Sequence, residues 1–201
     1  MKIAIIGAGD VGGTLAKRFE EVGHRVFLGV RDENKPKVKR LLSKNISAHS
    51  ISEAVKNADV IVTAADPRAT KEIAKHMGDI SGKVIIDVMN AFRGVPKPYG
   101  TTTEALLAYT NTKDIVRCFN TTGFKNMENP IYKGEKIDMF VGGDSTRGKK
   151  IATKLAKQIG FGKIYDLGGN ESFILMEQIV IVWVELSKIL GRDIAIKILQ
   201  R

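Results

Sequence analysis

The sequence predicts a doubly wound α/β fold with a mainly parallel sheet and a small C-terminal helical elaboration. Three observations predict it. Ile3 to Ile6 are apolar without alternation, the pattern of a strand covered on both faces of a parallel sheet. Gly7, Gly9 and Gly12 follow in G-x-G-x-x-G spacing and open an amphipathic segment carried by Val11, Leu15, Phe19 and Val22. Short apolar runs then alternate with helical segments along the chain. Together these make the Rossmann arrangement, in which the first glycine makes a tight turn, the second lets backbone approach a pyrophosphate, and the third lets helix pack on strand.

The elements follow in order. The first helix, Val11 to Val22, ends at Gly23, and Arg25 to Gly29 form the second strand. A helix is expected over Glu33 to Ser43, a strand over Ile46 to His49, and a brief helix from Glu53 to Lys56 capped by Ser52. Asp59 to Ala64 read as a continuous apolar strand, Ala69 to Met77 as a helix, and Lys83 to Val88 as the next strand. Asn90 to Asn111 make the one long irregular insertion, with the capping sequence Thr101 to Glu104 before a short helix, Glu104 to Tyr109. It is either a lid carrying Arg93, Lys97 and Tyr99 towards a ligand or a surface excursion. Ile115 to Phe119 and Ile137 to Val141 read as strands, Asp144 or Ser145 caps a helix to Ile159, and Lys163 to Leu167 is the last strand. The helix Glu171 to Leu190 has apolar residues on almost every face, so it must be covered by its own domain or by a second subunit. Residues 1–168 are therefore expected to form the nucleotide-binding domain and 169–201 a C-terminal helical part, with a homodimer as the economical way to cover it.

Composition narrows the function classes. The net charge of +10 comes from 32 Lys and Arg against 22 Asp and Glu, but the basic residues spread along helices without aromatic partners, against a nucleic-acid surface. They serve solubility, or draw in phosphate-bearing cofactors. The single cysteine, Cys118, suits a reducing compartment, and the expectation is a cytoplasmic protein. The most apolar stretch, Phe173 to Val184, holds Glu177 and Gln178 and is too short to cross a bilayer, so no membrane role is expected. His24, His49, His76 and Cys118 are scattered, which gives neither a metal set nor a nucleophile with its base.

Ligands of such sheets sit at the carboxyl ends of the strands. That places the cofactor against Gly7, Ala8, Gly9, Asp10, Val11 and Gly12, then Ala65, Asp66 and Pro67, Asn90 and Ala91, and Asn120 and Thr121. Past the second strand, Val30, Arg31 and Lys35 stand where an NAD site carries an acid for the ribose 2′-OH, and a guanidinium there suits the 2′-phosphate of NADP. Asp32 leaves an NAD alternative open. The strand ends offer amides, hydroxyls and apolar surface (Asn90, Phe92, Asn120, Thr121, Thr122) and no histidine, so no catalytic acid or base is assigned. Hydride transfer between stacked rings needs proximity and orientation rather than such a group.

With these residues in view the chain resembles the coenzyme F420-dependent NADP oxidoreductases. The likeness is carried by Lys2 to Gly13, Gly29 to Arg31 with Lys35, Phe119 to Gly123, Val141 to Asp144, Met176 to Gln178 and Ile196 to Leu199. It implies NADP at the glycine turn and a deazaflavin, coenzyme F420, or a flavin ring stacked on the nicotinamide. Val30 stands where that family carries Ser, and Asp66, Pro67 and Arg68 stand where it carries Pro-Trp. The expected function is hydride transfer between NADP(H) and F420 or a related flavin. The alternatives are an NADPH-dependent reductase of FMN, FAD or a small carbonyl or imine, and a non-catalytic NADP-binding sensor.

Overall fold

The computed structural model describes all residues, 1–201. Ten strands and eight helices follow one another: β1 (Lys2–Ile6), α1 (Asp10–Glu21), β2 (Arg25–Gly29), α2 (Pro36–Lys39), β3 (Ile46–His49), α3 (Ile51–Lys56), β4 (Val60–Thr63), α4 (Thr70–Met77), β5 (Val84–Asp87), α5 (Thr102–Tyr109), β6 (Ile115–Cys118), α6 (Phe124–Glu128), β7 (Ile131–Tyr132), β8 (Glu135–Lys136), β9 (Met139–Gly142), α7 (Thr146–Gln158), β10 (Ile164–Asp166) and α8 (Ser172–Leu190). Eight strands make one sheet in the order β10, β9, β6, β5, β4, β1, β2, β3. The strands from β3 to β6 are parallel, while β9 runs antiparallel to β6 and carries β10 parallel to itself. β1 pairs β2 on one side and β4 on the other, so the strand order reverses there and opens a crevice above their carboxyl ends.

Both faces of the sheet are buried, which is why the strands read as unbroken apolar runs. In β1, Ile3 and Ile5 join Leu15 and Phe19 of α1 and Leu155 of α7 on one face. Ala4 and Ile6 join Val55 of α3, Ile73 of α4 and Leu106 of α5 on the other. The glycine turn is held by close approach. At Gly7 φ is +107° and a Cβ would lie 2.4 Å from the Ala64 carbonyl oxygen, while at Gly12 it would lie 2.2 Å from the Gly7 carbonyl oxygen.

Several expected boundaries move, each for a local reason. The helix expected over Glu33 to Ser43 is the single turn Pro36–Lys39, because the Asp32 carboxylate accepts from Asn34 N–H in a turn and Pro36 can only open a helix. Ser50, not Ser52, caps α3, in a capping box with Glu53. β9 begins at Met139 rather than Ile137, because Ile137 N–H bonds Pro130 O behind the short hairpin β7–β8, which the sequence did not signal. In the long insertion, Thr101 caps α5 as the capping sequence implied, so the helix starts at Thr102 rather than Glu104, and Ala91–Arg93 form a 3-10 turn. The C-terminal part holds one helix, α8, followed by a tail without regular structure. That helix is not buried all round: Phe173, Met176, Glu177, Val180 and Trp183 are buried, whereas Ile174, Leu175, Ile181, Val182, Leu186 and Ile189 are exposed.

Candidate functional site

A cleft of about 1380 Å³ runs across the carboxyl ends of β1, β2, β4 and β5 to α6 and α8. Its floor at one end is the glycine turn and the N-terminus of α1. Gly9 is the N-cap of α1, no side chain caps the helix, and nothing lies within 4 Å of a Cβ placed on Gly9. Open space over uncapped N–H groups at a positive helix end fits a pyrophosphate. Val30, Arg31 and Lys35 line the same end, and the nearby ion pair engages Lys37 with Asp10 at 2.9 Å, leaving Arg31 and Lys35 uncommitted. Asp32 lines the mouth but spends its carboxylate on the Asn34 turn at 2.9 Å.

Along the middle, Ala64, Ala65, Asp66 and Pro67 after β4 face Val88, Met89 and Asn90 after β5. Asp66 accepts from Arg68 through backbone and side chain at 3.0 Å, and those bonds hold its carboxyl down at about 2, so it stays ionised and tied to its own turn. His76 of α4 also lines this wall, with Nδ1 2.8 Å from Glu72 O, so one histidine that looked scattered in the sequence reaches the cleft. At the far end Phe92, Phe124, Val180, Trp183 and Val184 make an apolar, aromatic wall, and Arg93, Lys125 and Arg192 add positive charge. Trp183 is fixed by its Nε1 donating to Ile194 O at 3.0 Å and by packing on Gly123, where a Cβ would meet the indole at 2.6 Å.

Of the residues expected to bind a cofactor, Gly7, Ala8, Gly9, Asp10, Val11, Val30, Arg31, Lys35, Ala65, Asp66, Pro67 and Asn90 line this cleft together. Four of them lie behind its wall. Gly12 packs on the Gly7 carbonyl. Ala91 turns its N–H to the Glu177 carboxylate at 3.1 Å. Asn120 is buried, its Nδ2 donating to Asn90 Oδ1 at 3.1 Å, and Thr121 is buried against Met139 Sδ at 3.6 Å. The turn that carries Asn120 under Asn90 passes through Phe119 at φ 65°, a left-handed position uncommon for a bulky residue, with its ring wedged between Phe19 and Phe161. Of Arg93, Lys97 and Tyr99, only Arg93 lines the cleft, and the Tyr99 ring packs edge-on against Tyr109 at 5.4 Å on α5.

Beneath Asn90 lies a charged cluster that sequence reasoning missed. Arg117 of β6 and Asp87 of β5 are fully buried, and Glu177 of α8 is 5% exposed. Thr63, Thr102 and Thr103 hydroxyls donate to Asp87 at 2.8, 2.5 and 2.7 Å, and Arg117 pairs with Glu177. Arg117 lies in a strand otherwise apolar, and only its β5 neighbour Asp87, across the ladder, could have hinted at a buried pair.

Residues 2–91, a little under half of the chain, match the family model described as NADP oxidoreductase coenzyme F420-dependent. The F420-dependent NADP reductase of Methanothermobacter thermautotrophicus is 25% identical over 93% of this chain and 89% of its own length. A glycerol-3-phosphate dehydrogenase [NAD(P)+] from Thermoanaerobacter sp. (strain X514) is 29% identical over 47% of this chain, which spans 32% of that enzyme. A crystal structure from Arthrobacter sp. FB24, whose proposed identity is an F420-dependent NADP-reductase, shares the fold with a TM-score of 0.86 at 24% identity, covering 100% of both chains. The match over residues 2–91 and the likeness along nearly its whole length to an F420-dependent NADP reductase make the chain similar to the coenzyme F420-dependent NADP oxidoreductases.

Proposed function

We propose that the protein transfers hydride between NADP(H) and coenzyme F420 or a related flavin. The observation that carries this is the single cleft with two unlike ends: an uncapped helix N-terminus with free Arg31 and Lys35 at one, and an aromatic wall ringed by Arg93, Lys125 and Arg192 at the other. NADPH would donate, and NADP+ accept, the hydride at the nicotinamide ring. The residues that would hold the cofactor are the Gly7 to Val11 turn for the pyrophosphate, Arg31 and Lys35 for the 2′-phosphate, and the Ala65 to Pro67 and Asn90 segments along the middle. Phe92, Phe124 and Trp183 exclude water and offer flat surface to a second ring, and Arg93 and Arg192 suit an anionic tail, with Lys125 beside them paired to Asp193 at 3.3 Å. Glu177, the buried acid nearest this end, is committed to Arg117 and to Ala91 N–H, so the chain's part is binding and alignment. The proposal extends to assembly as a homodimer through α8.

Two measurements test it. NADPH oxidation followed by absorbance against F420, FMN, FAD and small carbonyl compounds should show turnover with F420 or a flavin; turnover only with a keto acid or imine overturns the acceptor. Replacing Arg31 by Ala should weaken NADPH by roughly 1.5–3 kcal/mol, the range for a hydrogen bond to a charged group, and leave NADH nearly unchanged. Equal affinities for the two cofactors in the unmutated protein would bring Asp32 forward as a ribose ligand.

A further inference from the structure

Met89 and Asn90 of the cleft lining and Ala91 just behind them are gripped from below by one cation and one carboxylate. Arg117 donates to Met89 O at 2.7 Å and to Asn90 Oδ1 at 3.1 Å, and the Glu177 carboxylate accepts from Ala91 N–H at 3.1 and 3.3 Å while pairing with Arg117. Asn90 Nδ2 in turn donates to Asn120 O at 2.9 Å. A carbonyl, a side-chain amide and a backbone N–H are thus fixed in sequence, so this part of the lining has little freedom left.

A purely structural ion pair does not account for the arrangement. Asp87, the other anion in contact, stands 3.7 Å from Arg117 and already accepts three hydroxyl protons and the Met89 N–H, at 3.1 Å. Glu177 comes from a different element, α8, and it reaches the backbone of the cleft loop directly. Burial pushes its carboxyl above the ordinary range despite the Arg117 charge and the Ala91 hydrogen bond, so the anion is held here at a desolvation cost.

We propose that Glu177 is a positioning residue for the middle of the cleft, where the nicotinamide half of the cofactor would lie, setting the Met89 to Ala91 backbone from α8 before ligand arrives. This rests on the NADP(H) reading above. A lining fixed in advance avoids the ordering cost that binding otherwise incurs.

The test compares NADPH with 2′-phospho-ADP-ribose, which carries the adenosine, 2′-phosphate and pyrophosphate but no nicotinamide. Calorimetry is run on the unmutated protein, Glu177→Gln and Ala91→Pro. Glutamine keeps the volume and one acceptor oxygen but removes the charge facing Arg117 and puts an NH2 donor where the second carboxylate oxygen accepts from Ala91 N–H at 3.3 Å. Proline replaces the N–H by a ring methylene and leaves Glu177 in place; Asn90, at φ −121° and ψ 147°, accommodates a following proline, and Ala91 opens a 3-10 turn where the missing N–H is tolerated. Both variants are expected to lose NADPH affinity, at least tenfold for Glu177→Gln and at least threefold for Ala91→Pro, and to hold the fragment within twofold. Equal loss of both ligands, or no loss of either, overturns the positioning role while leaving the cofactor assignment intact. Unmutated protein that binds neither ligand overturns the cofactor assignment and this inference with it.

Discussion

His24 sits just before β2, buried, with Nδ1 3.0 Å from the amino group of Met1 and Nε2 3.0 Å from Gln158 Oε1. An ammonium facing Nδ1 requires that nitrogen to accept, so the proton belongs on Nε2 and the ring is neutral. Burial lowers its pKa from 6.5; Gln158 opposes that, and the amino group and Lys154 add to it. Because the folded value lies below the unfolded one, the unfolded chain binds more protons between them. The stability is whole above about 6.5 and is lost as pH falls towards the folded value. Urea unfolding from pH 7.5 to 5 should show the unmutated protein losing stability more steeply than His24→Asn; parallel profiles would refute this. At this same scale the glycines were the most legible residues, because a missing Cβ has a steric meaning that spacing reveals. Arg117 and Glu177 were not legible: a charged residue in a strand or helix ordinarily signals a solvated face, and only the fold shows that these two meet across sixty positions of sequence.

The strands and long helices follow from periodicity, since a sheet covered on both faces leaves apolar runs that no other element makes at that length. What periodicity missed is short or set by side chains: the one-turn α2, the two-residue strands of the β7–β8 hairpin, and the reversal of β9 and β10, which no local pattern encodes. Helix α8 shows the remaining ambiguity, because an apolar helix has more than one possible cover. Its inner face, with Val180 and Trp183, closes the cleft. On its outer face Leu175, Val182 and Ile189 repeat at seven-residue spacing, with Ile174, Ile181 and Leu186 beside them, all exposed. That stripe suits pairing with the same helix of a second copy. Light scattering at micromolar concentration should give a dimer, and Val182→Glu with Ile189→Glu should give a monomer that still binds NADPH. An unmutated monomer would remove the dimer and leave the stripe unexplained.

For the molecule as a whole, the division between residues 1–168 and 169–201 marks a change of architecture, and we propose that it is not a division of stability. Phe173 and Met176 of α8 are fully buried against the sheet, and Glu177 supplies the anion for buried Arg117. The tail beyond α8 is tied down as well. Ile194 O accepts from Trp183 Nε1 at 3.0 Å and Asn126 Nδ2 at 2.7 Å, and Asp138 takes Ile198 N–H at 2.9 Å. Removing 169–201 would strip two large core side chains, at about 2–5 kcal/mol each, and leave a buried guanidinium without its carboxylate, at about 3–5 kcal/mol. Together these match the roughly 5–15 kcal/mol that holds a whole domain folded. A chain ending at Gly168 should therefore show no cooperative thermal transition and should bind a hydrophobic dye at 25 °C, although every residue of the glycine turn is still present. If that shortened chain melts cooperatively near the full-length midpoint, the first 168 residues stand alone, and α8 serves the cleft and the dimer without supporting the sheet.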